Sequence, residues 1–468
     1  MTEQHDIARW LIDNSSRFIG VADDIWATPE ICFQEIKSSK IQADDLEADG
    51  FDITWGAGGL PTAFVASWSN GSGPVIGFIG EYDALPGLSQ KIQQSKEALE
   101  DGANGHGCGH NLLGTGALAS AAALKAWMIS TGQTGTLRYY GCPAEEVGFG
   151  KVYMARDGAF DDLDAAFNFH PGWSNYPVRG TFLGARSIHY RFKGRASHAG
   201  TAPHLGRSAL DAVELMNIGT NYLREHVEDY VRLHYQITDG GKSPNIVPDT
   251  ASVLYLAKSL YPAEVEDLVS RLNDIAKGAA LMTGTRFEAE VESGTSCLIN
   301  NQALADLQYE KMQELGTIDF NEAEMEFAAK INSDYPPGGA DFQRRILNLP
   351  PASNYAPLIW ETYDQVDTGK IHHASTDVAE VGWRTPLCMI RTTCWPLNAS
   401  PHSWGVVASG GMSIGHKGMM YAATVMALAA AELIENTARL EKVRQEFIET
   451  VGSMPYVDPI PPEKMPPV

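Results

Sequence analysis

The chain has 468 residues, of which 44% are hydrophobic and 20% charged. It is too long for one hydrophobic core, so two or three domains of an ordinary globular protein are expected. A formal charge of −23 and a pI near 4.9, with no basic run to offset them, repel nucleic acid and anionic lipid, and neither is an expected partner. An anionic substrate would need local positive charge to bind.

The first ten residues carry no basic n-region and no apolar h-region. No uncharged apolar run of membrane-spanning length occurs elsewhere, so the expected compartment is the cytoplasm. Six cysteines, Cys32, Cys108, Cys142, Cys297, Cys388 and Cys394, are too few and scattered for a disulfide framework.

Helical periodicity runs from residue 5 to 50 in three pieces: Ile7 to Leu11, Phe18 to Trp26 and Ile36 to Leu46. Thr62 to Trp68 alternates like a strand. Pro74 to Gly80 is a continuous apolar run, as in a strand covered on both faces, and it ends in Glu81-Tyr82-Asp83. Carboxylates just beyond the C-terminal end of such a strand lie where open α/β sheets hold ligands.

The stretch His106-Gly107-Cys108-Gly109-His110 places three potential metal ligands on a glycine-loosened turn. An Ala/Leu-rich helix from Leu112 to Ile129 follows. Gly135 to Cys142 then reads as a strand delivering Glu145-Glu146, and Asp164 to Phe169 as a strand delivering His170. Three successive strands therefore end in Asp83, Glu145-Glu146 and His170, and this convergence favours a metal centre over a set of unrelated polar residues.

From about residue 185 the pattern becomes strand, helix, strand, strand, helix, strand up to about residue 296. That order predicts a small α+β sandwich inserted in the larger α/β domain, dividing the chain into 1–184, 185–296 and 297–468. Helix returns over 301–330. A single long helix is expected from His416 to Val451, followed by an extended Pro-rich tail.

Taken together, His106-Gly-Cys108-Gly-His110, Pro143-Ala-Glu145-Glu146, His170-Pro, Ser197-His198-Ala-Gly, Ser375-Thr-Asp377-Val and Pro401-His402-Ser-Trp404 resemble the M20 metallopeptidases, in the amidohydrolase branch that uses a cysteine ligand. The sequence departs from that branch at Asn111, where an Asp is usual. The resemblance implies a discontinuous α/β catalytic domain with a mixed central sheet, plus an inserted ferredoxin-like lid and dimerisation domain. It further implies two divalent ions, zinc or manganese, held by Cys108, His110, Glu146, His170 and His402. Glu145 would be the general base, His198 an oxyanion-stabilising group from the lid, and Asp83 a group orienting a ligand. Asn245 and Arg207 are weaker candidates for gripping a substrate carboxylate.

The implied activity is hydrolysis of an N-acyl or N-aroyl amino acid such as p-aminobenzoyl-glutamate, by a homodimer or with a paralogous partner chain. A dipeptidase of the same family is the alternative within the class. Two alternatives lie outside it. One is a thiol enzyme with Cys108 as nucleophile and His106 or His110 as base, which leaves Glu145, Glu146, His170 and His402 without roles. The other is a non-catalytic binding protein or partner subunit.

Overall fold

The computed structural model describes residues 4–336, 338–346, 348 and 356–467. Met1 to Glu3 and the end of the tail at Val468 lie outside the described residues.

Among these residues thirteen strands form three sheets. The largest has seven strands: β1 (Asp52–Trp55), β2 (Phe64–Ser69), β3 (Val75–Glu81), β4 (Thr136–Cys142), β5 (Ala165–Gly172), β6 (Tyr176–Pro177) and β13 (Leu387–Thr393), in the order β1-β2-β4-β3-β5-β13-β6. The central four, β4, β3, β5 and β13, are parallel, and the flanking pairings are antiparallel. β3 pairs with β4 through Glu81↔Cys142 and with β5 through Phe78↔Phe167. Their C-terminal ends are therefore level. A two-stranded pairing joins β7 (Thr181–Phe182) to β12 (Ile371–His372).

The helices His110–Thr131 and Ser413–Glu435 lie side by side over the parallel strands. Both are long and apolar enough to cross a membrane, yet both are largely buried within the protein. Small residues make this close approach possible: Ser120 Oγ donates to the Ala423 carbonyl at 3.1 Å. The single helix expected over residues 416–451 is instead two, Ser413–Glu435 and Thr437–Glu449. Asn436 interrupts it because its side chain accepts the Arg439 N–H as an N-cap, which competes with helix continuation.

The second sheet is formed by β8 (Gly184–Lys193), β9 (Arg232–Asp239), β10 (Thr250–Ser259) and β11 (Arg286–Thr295), antiparallel in the order β11-β8-β10-β9. Two helices, Ala209–Leu223 and Pro262–Thr283, cover one face, on which Val253, Tyr255 and Ala257 are buried. The alternate residues Leu254, Leu256 and Lys258 belong to the other face. Ala185 pairs directly with Thr295, so the chain enters and leaves this unit through neighbouring strands. The Pro-rich tail runs past this junction: Arg156 pairs with Asp458 at 3.0 Å, and Lys464 pairs with Glu290 of β11 at 3.0 Å.

At the site end of the main sheet, Gly80 and Gly141 face each other in register. A methyl group on Gly80 would overlap the Tyr139 ring and hydroxyl. Gly80→Ala is expected to destabilise the protein by about 1–3 kcal/mol through overpacking, read as a lower denaturant midpoint with an unchanged slope.

Candidate metal centre

The level strand ends bring together groups that are distant in sequence. Gly109 adopts a left-handed conformation, φ +78°, at the start of the helix His110–Thr131, so Cys108 and His110 leave the backbone on a tight turn. His402 is also left-handed, φ +58°. Its N–H donates to the Gly107 carbonyl at 2.9 Å, which fastens the loop after β13 to the cysteine turn. Ala144, at φ +61°, makes the corresponding turn before Glu145 and Glu146.

Among the described residues three groups of candidate ligand atoms result, Cys108/His110/His170, Cys108/Glu146/His402 and Glu81/His110/Glu145, each with its atoms within 4.8 Å of one another. Cys108 belongs to the first two. Cys108 Sγ is 3.4 Å from His170 Nε2, and His402 Nε2 is 3.3 Å from Glu146 Oε2. A separation of 3.3 Å matches the edge of a tetrahedron whose metal–ligand bonds are about 2.0–2.1 Å.

Asp83 supports this arrangement. It accepts the His110 Nδ1 hydrogen at 2.8 Å and the Glu146 N–H at 2.9 Å. The first bond leaves His110 Nε2 as the ligand-type lone pair. His110 Nε2, Glu81 Oε2 and Glu146 Oε1 are all buried with no hydrogen-bond partner among the described residues. Acceptor atoms confronting one another inside a protein are costly unless a proton or cation lies between them. The donor set of thiolate, imidazole and carboxylate therefore fits divalent metal ions, zinc by its softness and manganese by its oxygen share.

Electrostatics point the same way. Burial, and then the charges of Glu81 and Glu146, push Glu145 well above the usual carboxylate range. Burial, against a partial pull from His110, raises Glu146 to about 7. Burial and then Glu146 raise the Cys108 thiol, which works against a free thiolate nucleophile. His170 is held neutral by burial, by Arg391 and by His110. Burial disfavours the charge of Asp83, but His110 outweighs it and keeps that carboxylate ionised.

His106 joins none of the ligand groups. It is buried, its Nε2 donates to the Ile25 carbonyl at 3.1 Å, and burial lowers its pKa to about 4. Asn111 explains its departure from Asp: its amide donates to the Gly410 carbonyl at 3.1 Å, which a carboxylate could not do. His198, Asn245 and Arg207 lie exposed on the inserted unit and are bonded locally. His198 Nδ1 accepts N–H groups of Gly200 and Thr201, Asn245 Oδ1 accepts from Ser243, and Arg207 donates to the His204 and Gly206 carbonyls. None of the three joins the cluster.

Three residues to which the sequence assigned no individual role do join it: Glu81 and Asp377, which stand there only within motifs, and Lys151. Lys151 Nζ is 2.7 Å from Glu81 and 2.6 Å from Asp377, with all three side chains essentially unexposed. A cleft of about 320 Å³ opens beside Glu146, lined by Val147, Phe149 and, from the inserted sheet, His234, Tyr235, Leu254 and Leu256. Lys258 follows these leucines on the same face; burial lowers the pKa of its amine, against a pull from the charge of Glu145.

Residues 77–343, more than half of the chain, match peptidase family M20/M25/M40. The chain belongs to this family. It is 40% identical over 458 residues to one of the two kinds of p-aminobenzoyl-glutamate hydrolase subunit of Escherichia coli (strain K12), with 95% of each chain covered. It is 30% identical over 347 residues to the Xaa-Arg dipeptidase of Mus musculus, covering 71% of this chain and 74% of that one. In three dimensions it resembles a dinuclear metal-binding M20 peptidase of Bacillus subtilis, with a TM-score of 0.59 at 17% identity over 90% of this chain and 98% of that one. This M20 protein is accordingly a hydrolase of amide bonds, built on the fold of a sheet-centred domain with an insert.

One buried carboxyl lies behind the centre. Glu35 accepts the Ala144 N–H at 2.9 Å, and burial, then the charge of Asp83, raises it from its ordinary 4.5 to about 8. A raised folded-state pKa means that the associated stability is whole below about pH 4.5 and is lost as pH rises through 8. The urea midpoint of the wild type is expected to fall more between pH 6 and pH 9 than that of Glu35→Gln.

Proposed function

We propose that this M20 protein is a dinuclear metal-dependent amidohydrolase that cleaves an N-acyl or N-aroyl amino acid, with p-aminobenzoyl-glutamate as the leading substrate. The observation that carries this reading is that Cys108 belongs to two ligand groups at once, with Glu145 directly beside them. Its support from relatives is the 40% identity to a p-aminobenzoyl-glutamate hydrolase chain. Cys108, His110 and His170 would hold one ion, and Cys108, Glu146 and His402 the other. Bound there, a metal pair acidifies water toward a pKa of about 7 and polarises the scissile carbonyl.

The chain's own groups supply the rest. Glu145 takes the proton of the attacking water and returns it to the leaving amine. The apolar walls formed by Phe149, Leu254 and Leu256 take the acyl or aroyl group, while Lys258 offers the positive charge that an anionic substrate of this acidic protein needs. His198 would donate to the oxyanion. The two N–H groups on its Nδ1 favour the tautomer with hydrogen on Nε2, and its exposure suits a role in the site of a second copy of the chain.

The buried, raised Cys108 thiol speaks against the thiol-enzyme alternative. The Escherichia coli relative is by name one chain of a hydrolase with a second kind of chain. That keeps dependence on a paralogous partner as the second reading, and the retained base and ligands speak against a non-catalytic role.

Purified protein is expected to hydrolyse p-aminobenzoyl-glutamate, to lose activity on chelation and to regain it with zinc or manganese. Glu145→Gln should lower kcat by about 10²- to 10⁴-fold with metal content unchanged. Activity that survives full metal removal would sink the reading, and activity that appears only with a second kind of chain would favour the partner alternative.

A further inference from the structure

Glu81 is the last residue of β3 and has two different oxygens. Oε1 lies 2.7 Å from Lys151 Nζ, and Lys151 is held on its other side by Asp377 at 2.6 Å. Asp377 also accepts the Lys151 N–H through its second oxygen at 2.9 Å. Lysine and carboxylates thus fix one another in a part of the protein without solvent. Oε2 points elsewhere: it is 3.3 Å from His110 Nε2, and it has no hydrogen-bond partner among the described residues.

His110 spends its Nδ1 hydrogen on Asp83. Its Nε2 and Glu81 Oε2 face each other across 3.3 Å, the same separation as between His402 and Glu146; a proton bridges such a pair in the metal-free protein, and a cation that displaces it meets two lone pairs. Glu145 completes a third candidate ligand group with these two, its oxygen 4.0 Å from His110 Nε2.

We propose that Glu81 is a further carboxylate ligand of the metal centre, on the His110 side, and that Lys151 and Asp377 are positioning residues that hold its free oxygen toward the ion. Lys151 neutralises one oxygen and blocks the rotation that would turn the other away. Glu145 is left available for proton transfer, because Glu81 supplies the oxygen ligand on that side. The inference rests on the metal reading given under Proposed function.

The test is metal binding itself, measured on the full chain by competition with a chromophoric chelator using zinc, together with metal content by elemental analysis and the thermal midpoint of the metal-free protein. In Glu81→Gln the amide oxygen can still face Lys151, while its NH₂ faces His110 Nε2 and removes the ligand lone pair. The expected result is a fall of about 10- to 100-fold in the affinity of one zinc ion, the range seen when groups that support a metal site are removed, with the metal-free midpoint preserved. Two ions bound at wild-type affinity in Glu81→Gln would overturn the proposal.

If Glu81→Gln does not fold, Glu81→Asp keeps the charge on Lys151 and withdraws the oxygen by one methylene. Weaker binding of one ion then supports the proposal, and unchanged binding overturns it. A wild-type chain that binds no zinc would instead overturn the metal reading of the whole site, so the two failures are distinguishable.

Discussion

The interior at the C-terminal end of the main sheet holds more negative charge than its own cations balance. Glu81, Asp83, Glu145, Glu146 and Asp377 are all buried or nearly so, and Lys151 is the lysine in their midst. An uncompensated ion in such a place costs several kcal/mol. The deficit is eased by what lies near: the charge drawn onto His110, and the burial that pushes the Glu145 and Glu146 carboxyls toward their neutral forms. A chain that meant only to be stable would not assemble five carboxyl groups around one ammonium. The arrangement is intelligible as a site whose charge balance is completed by what it binds.

Strand register converts that chemistry into geometry. β4, β3 and β5 are parallel and end level, so residues just past each strand fall within a few ångströms, although 62 residues separate Cys108 from His170. Two adjacent carboxylates then receive different neighbours. Glu146 faces His402, whereas Glu145 lies toward Glu81 and His110. The Ala144 turn makes the distinction, and the buried Glu35 carboxyl holds that turn through its backbone N–H. Two identical neighbours in sequence thereby face different groups.

Much of this was legible in the chain. Continuous apolar runs that stop at Asp83, Glu145 and His170 mark buried parallel strands, and the Cys108 turn announces itself by its glycines. Glu81 stood with Asp83 among the carboxylates at the end of an apolar run, but nothing local tells which of the two turns an unpartnered oxygen toward His110. Lys151 was hidden because a lysine on a short helix is an ordinary surface residue until its partner, 226 positions later, is known. β13 is a similar case: Leu387 to Ile390 is apolar, but nothing local says that it inserts between β5 and β6 and brings Arg391 beside His170. The break at Asn436 was missed for the opposite reason, since a capping asparagine also occurs unremarked on exposed helical faces. Local pattern reports what an element is; the identity of a distant partner is a property of the topology.

The junction between the two units carries a mechanical consequence. Ala185 and Thr295 are register partners on adjacent strands, so the insert joins the main domain through one narrow seam rather than by two separated tethers. Any relative motion of the units would centre on that seam. A rotation there would carry His234, Leu254, Leu256 and Lys258 as one rigid plate across the Glu146 side of the cleft. The tail crosses the same axis, pinned to Arg156 on one side and, through Lys464, to Glu290 on the other. Swinging the plate would stretch these two ion pairs, so the segment from Asp458 to Lys464 would resist a change in the angle between the units.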